Sequence, residues 1–209
     1  MYKDLFYYIT DYLKSHGGED DDRFAFRKRS GHIWRVFTWV QRLTADCTED
    51  IDRDALLIAA LFHDIGYSES VKDHTNQGAL LFHEYANKHH FDQKQSGLIE
   101  YLIRNHSDKE LLFSTDTLEL VYLLEADMLD ETGALGIVWD TMMTGFRQDE
   151  DYMEAYRLLK SHTCNKLNDN PMRTPKAREI WENKQELVKE FMKHLEYDLA
   201  INEWVREGM

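Results

Sequence analysis

Proline is nearly missing from this 209-residue chain: Pro171 and Pro175 are the only two, so the first 170 residues run without the residue that most strongly breaks helices. No Asn-Gly or Asp-Gly dipeptide occurs and no long stretch alternates apolar with polar residues, which removes the usual signals of tight hairpins and half-buried strands. Cysteine is scarce too. Cys47 and Cys164 stand far apart without paired spacing, so neither a disulfide framework nor a zinc knuckle is indicated, and a reducing compartment is expected. There is no run of about 20 apolar residues, and charges interrupt every short apolar run of the opening MYKDLFYYITDYLKSH, so no secretory h-region is read there. A cytoplasmic location without membrane contact is the expectation. Positive charge is in deficit, with 25 Lys and Arg against 39 Asp and Glu for a formal net charge of −14, so the surface field repels nucleic acid polymers and anionic lipid.

What is present is the balance of a folded domain, 43% hydrophobic and 31% charged residues in a length that suits one substantial core. The prediction is an all-α fold, a single domain over 1–209. Helices are expected at about 2–15, 30–45, 52–65, 75–88, 93–106, 117–129, 133–145, 149–162 and 174–203. Thr174 is read as the N-cap of the last one, with Pro175 at N1. Glu19 to Asp22 reads as a solvated acidic loop. The irregular stretch Ser161 to Thr174 separates a core of about 25–145 from a helical extension of about 149–205. The five tryptophans, Trp34, Trp39, Trp139, Trp181 and Trp204, read as core packing.

Two helices carry the first chemical signal. Ile33, Val36, Phe37, Val40 and Leu43 form an i, i+3, i+4, i+7 stripe that places His32 in the first turn of one helix. The stretch LLIAALF is right for a helix buried at the centre of a bundle, and it ends in His63-Asp64-Ile65-Gly66, with Gly66 suited to a left-handed cap just past the last turn. An ionised carboxylate in such a setting costs several kcal/mol unless it is paired or binds a metal. Imidazole with carboxylate is a ligand set for manganese, iron, cobalt, nickel or zinc more than for magnesium. Asp127, in LLEADMLDETGALG near the end of another apolar helix, lets a third element aim at the same point.

The sequence from about Ser30 to Gly136 resembles the HD superfamily of metal-dependent phosphohydrolases, whose pattern is a histidine, then His-Asp, then a distant aspartate. SGHIWRV, LFHDIGY and LLEADMLDETGALG supply these as His32, His63, Asp64 and Asp127, and the resemblance implies that these four hold the metal. His74 in KDHTNQGA and His106 in LIRNHS match an extended form of the motif, which implies ligands for a second ion or contacts to substrate phosphate as imidazolium. The segments SHTCNKL and PMRTPKAREIWENKQELVKEFMKHLEYDL are similar to a subgroup of small bacterial HD hydrolases that includes a deoxynucleoside triphosphate pyrophosphohydrolase.

The implied chemistry is hydrolysis of a phosphoester or phosphoanhydride of a nucleotide, or of a similar phosphorylated small molecule, by a metal-activated water, with Asp64 or a neighbouring carboxylate taking the proton. Candidate catalytic residues are Asp64, His74, His106 and Lys72. Candidate phosphate contacts are Lys72, Arg29, His74 and His106, with Arg35 also near the motif and Lys166 a third cation. Tyr67 and Phe146 are candidates to stack on a base, and His83, nine residues beyond His74, should point away from the metal. Two other readings remain open at this level. One is a metal-containing module that senses a nucleotide without turnover, the other a helical interaction protein with the C-terminal helix as a homodimer surface.

Overall fold

The computed structural model describes residues 1–21, 24–145 and 151–201; Asp22, Phe146, Trp204 and the expected helix ends at 149–150 and 202–203 lie outside the described residues. The chain divides into two compact units, Met1–Asp130 and Glu131–Met209. The fold is all-α, as expected, apart from one two-stranded antiparallel pair. Among the described residues no helix is long and apolar enough to cross a membrane.

In the first unit the order is α1 (Tyr2–Ser15), β1 (Asp20–Asp21), β2 (Phe24–Lys28), α2 (Arg29–Leu43), α3 (Arg53–Phe62), a 3₁₀ turn (Ile65–Ser68), α4 (His74–Lys88), α5 (Gln93–Asn105), α6 (Leu111–Ser114) and α7 (Leu118–Leu129). Every residue of α3 from Ala55 to Phe62 is buried, which the unbroken apolar run requires, and α3 packs against α2, α5 and α7. Asp52 starts the helix by accepting the Ala55 N–H at 2.9 Å. Each fully buried Leu, Ile or Phe of this centre contributes about 1.5–3 kcal/mol. The second unit holds α8 (Ala134–Gly145), α9 (Tyr152–Ser161), α10 (Thr163–Lys166) and α11 (Pro175–Asp198). Thr174 does cap α11, accepting from the Ala177 N–H at 3.3 Å, with Pro175 behind it.

Three local readings are corrected. Glu19 is not a solvated charge. It is buried, and its side chain accepts from the Ser30 N–H at 3.1 Å and the Ser30 hydroxyl at 2.5 Å while its carbonyl takes the Arg29 N–H at 2.9 Å. It therefore serves from a distance as the cap that α2 lacks in its own sequence, which fixes the turn bearing Arg29 and His32. Gly66 is not a left-handed cap, because the glycines with positive φ among the described residues are Gly17 and Gly133. It sits inside the 3₁₀ turn where the start of α4 crosses, and a Cβ there would fall on the His74 carbonyl oxygen and the Gly78 amide nitrogen. Trp34, read as core, is 42% exposed and stacks on Phe37, whereas Trp181 is buried as expected.

This crossing yields a paired prediction. Gly66→Ala should destabilise the protein by more than about 3 kcal/mol, since backbone and not a flexible side chain blocks the methyl. Gly97→Ala, within α5 and with nothing in reach of its Cβ, should stabilise by about 0.5–1 kcal/mol. Urea unfolding of the two variants against the wild type measures both signs.

Candidate metal centre

Five segments of the first unit end or begin at one place. The C-terminal ends of α3, α5 and α7 carry His63-Asp64, His106, and Asp127 with Asp130, while the first turns of α2 and α4 carry Arg29 with His32, and His74. Histidine follows α3 and α5 in the same way. The Nδ1–H of His63 donates to the Ala60 carbonyl at 2.8 Å, and that of His106 donates to the Ile103 carbonyl at 2.7 Å, each satisfying a carbonyl the last helical turn leaves open. The same nitrogen of His74 donates to Val71 at 3.3 Å, and that of His32 to Asp130 Oδ2 at 2.7 Å. With Nδ1 committed in all four rings, Nε2 is the atom turned to the common space.

There His32 Nε2 lies 3.3 Å from His63 Nε2 and 3.2 Å from Asp127 Oδ1. Asp64 stands between two groups: Oδ2 faces His32 Nε2 at 3.6 Å and accepts from Arg29 at 3.0 Å, while Oδ1 faces His106 Nε2 at 3.3 Å, His63 Nε2 at 3.6 Å and His74 Nε2 at 3.9 Å. Ligand atoms of His32, His63 and Asp127, and separately of His63, Asp64 and His106, are close enough together to hold an ion. The sequence-predicted quartet and both extended-motif histidines are thus assembled in one place.

Electrostatics give the fit test for a cation. Burial alone would lower the His32 imidazole, but hydrogen bonds to Asp127 and Asp130 and the charge of Asp64 lift it to about 10, so its own proton holds a positive charge among three carboxylates. Burial drives His63 the other way, to about 4, which leaves it a neutral donor. For Asp64, burial would raise the carboxyl, yet the surrounding His63, His106 and His32 rings and the Arg29 guanidinium hold it well below its ordinary value. Asp127 is likewise raised by burial but held well below its ordinary value, Lys109 contributing most and His32 next. Ionised carboxylates, a neutral imidazole and a proton that can be given up are the chemistry a divalent ion needs, so the residues present fit one.

The predicted cations take different places. Lys72 is exposed in the loop before α4, Arg29 spends its guanidinium on Asp64, and Arg35 forms a two-pronged pair with Asp130 at 2.8 and 2.9 Å. Lys166 belongs to the second unit. His83 is half-exposed on Glu100 at 2.8 Å, away from the centre as predicted. Sequence reasoning missed Asp130, Lys109 and Ser107. Lys109 pairs with Asp127 and donates to the His106 carbonyl at 2.9 Å, and Ser107 Oγ is 3.1 Å from His74 Nε2 and 3.2 Å from His106 Nε2. Spacing held a weak clue, since Asp130 and Lys109 each stand three residues after a motif position, but that spacing is common on any helix.

Comparison with known proteins bears on the same region. The HD domain is matched over residues 29–132. Among solved structures the chain is similar to an HD-superfamily hydrolase of Bacillus thuringiensis, at 18% identity with a TM-score of 0.71 over 95% of this chain and 96% of that one. It is also similar to Bacillus subtilis YpgQ in complex with ADP, at 19% identity and TM-score 0.66 over 95% and 97%. The Lin1889 protein of Listeria innocua aligns at 18% identity and TM-score 0.64 over 96% and 98%. No curated protein matches the chain.

The Asp130 contact supplies the test of this geometry. Asp130→Asn should weaken manganese binding by about tenfold or more, because it loosens the ring orientation and lowers the basicity of His32. Glu100→Gln, at a carboxylate paired with His83 and Arg104 on the α4–α5 surface, should leave it unchanged. Calorimetric titration of the metal-stripped proteins reads both.

Proposed function

The chain belongs to the HD domain family through residues 29–132, and from that premise we propose that it is a metal-dependent phosphohydrolase that cleaves a phosphoester or phosphoanhydride bond of a nucleotide or a similar phosphorylated small molecule. The observation that carries this reading is the four-imidazole arrangement, with Nδ1 tied down and Nε2 turned toward Asp64 and Asp127. His32, His63, Asp64 and Asp127 would hold a first divalent ion, manganese, iron, cobalt, nickel or zinc in preference to magnesium; His74 and His106 would serve a second ion or the substrate phosphate. When bound, such an ion lowers the pKa of water and polarises a phosphoryl oxygen.

The chain's own residues then divide the work. Asp64 is placed to take the water's proton at Oδ1, from which His106 Nε2 at 3.3 Å and His74 Nε2 at 3.9 Å are the nearest imidazoles to receive it. Arg29 holds Oδ2 of the same carboxylate, so that one oxygen stays oriented while the other works. Lys109, about a third exposed beside Asp127, is the cation best placed to meet an entering phosphate. Lys72 would act from the outer loop. Two considerations favour a nucleotide: a structural neighbour is bound to ADP, and the C-terminal sequence resembles a subgroup of small bacterial HD hydrolases that includes a deoxynucleoside triphosphate pyrophosphohydrolase. A net charge of −14 does not oppose a phosphorylated substrate once a cation supplies local positive charge.

Screening nucleoside mono-, di- and triphosphates with Mn, Co, Ni, Fe, Zn and Mg, and reading phosphate against pyrophosphate release, tests the proposal. Turnover should appear with the transition metals and fall by at least about a hundredfold in Asp64→Ala. Release of pyrophosphate would identify an α–β cleavage. Tight nucleotide and metal binding with no turnover across the panel would replace the enzyme with a sensing module.

A further inference from the structure

Tyr67 follows the His63-Asp64-Ile65-Gly66 segment, and its backbone N–H donates to the Asp64 carbonyl at 3.2 Å. Its ring is half-buried between two charged-site residues. The Arg29 guanidinium carbon lies 3.6 Å from the ring centre, and the His74 imidazole is stacked on it with centres 4.1 Å apart and planes 23° from parallel. Non-bonded carbons approach to about 3.5–4.0 Å, so two groups this close to one ring centre cannot share a face without overlapping. Arg29 and His74 therefore cover opposite faces of Tyr67. The same two residues also face Asp64, Arg29 on Oδ2 at 3.0 Å and His74 toward Oδ1 at 3.9 Å.

We infer that Tyr67 is a positioning residue of the metal centre: its ring, clamped between Arg29 and His74, sets where both stand and thereby the orientation of the Asp64 carboxylate. The Arg29 side chain is 7% exposed and has little water to orient it, the setting in which a cation is held most firmly by an aromatic face. Both faces being taken, the ring is not the base-stacking platform that its place in the sequence suggests. The task falls to the ring and not to the hydroxyl, so phenylalanine should perform it and an aliphatic side chain should not.

The inference rests on the proposed metal centre in one readout and is independent of it in the other. In metal-free protein, the ring current of Tyr67 should displace the Cε1–H and Cδ2–H proton signals of His74, identified by their loss in His74→Gln. The displacement should persist in Tyr67→Phe and vanish in Tyr67→Leu. In calorimetry, Tyr67→Leu should bind manganese about tenfold more weakly, while Tyr67→Phe stays close to wild type. Circular dichroism and melting temperature verify folding, and Tyr67→Met, similar in bulk but without an aromatic face, replaces Tyr67→Leu should that variant not fold. Unmoved His74 signals in the ring-less variant overturn the inference, and so does unchanged manganese affinity in a protein whose wild type binds the metal. If the wild type takes up no manganese, the metal reading fails and the His74 signals alone decide: lost displacement supports the clamp, retained displacement overturns it.

Discussion

Asp64, Asp127 and Asp130 share one partly water-free space at the C-terminal ends of α3 and α7, where the helix dipoles are already negative. Removing each carboxylate from water costs several kcal/mol before pairing, and no apolar packing can offset it. The surrounding charges are arranged to that end: Arg29 on Asp64, Lys109 on Asp127, Arg35 on Asp130, and the proton of His32 between the last two carboxylates. Much of the first unit can be understood as support for this balance. Glu19 anchors the turn that carries Arg29 and His32, and the Gly66–Gly78 crossing brings the start of α4, with His74, against the turn that follows Asp64.

The cations differ in what they could release to a ligand. Arg29 is buried, held by a carboxylate and an aromatic face, and is suited to orientation. Lys109 has a flexible stem, is partly exposed, and can exchange one anion for another without disturbing a ring or a helix. The proton on His32 is the most readily replaced charge of all, because a cation entering between Asp64 and Asp127 makes it redundant.

Helix positions were legible in the sequence because the apolar stripe of α2 repeats with a helical period, α3 and α7 read as apolar segments buried in a bundle, and the Thr174-Pro175 start of α11 is a local signal that needs nothing outside its own turn. His63, Asp64 and Asp127 stood out because each is a polar residue at or near the end of a strongly apolar helix, an arrangement whose cost demands a reason, and His32 joined them through the resemblance of the four to the HD pattern. The pairing of Lys109 with Asp127 was not legible, since 18 residues separate the two and they meet only once α7 has packed beside the end of α5.

The chain by itself determined which segments become helices, which faces are apolar, and that ionisable groups sit where apolar burial is deepest, since these follow from period and composition within a few turns. Tertiary structure alone decided that Glu19 caps a helix ten residues away, that Gly66 is glycine for want of space and not for its φ angle, that Asp130 steers His32, and that Tyr67 clamps Arg29 and His74. Each of these depends on which backbones cross and how closely, and a side chain finds such a partner only after the helices have packed.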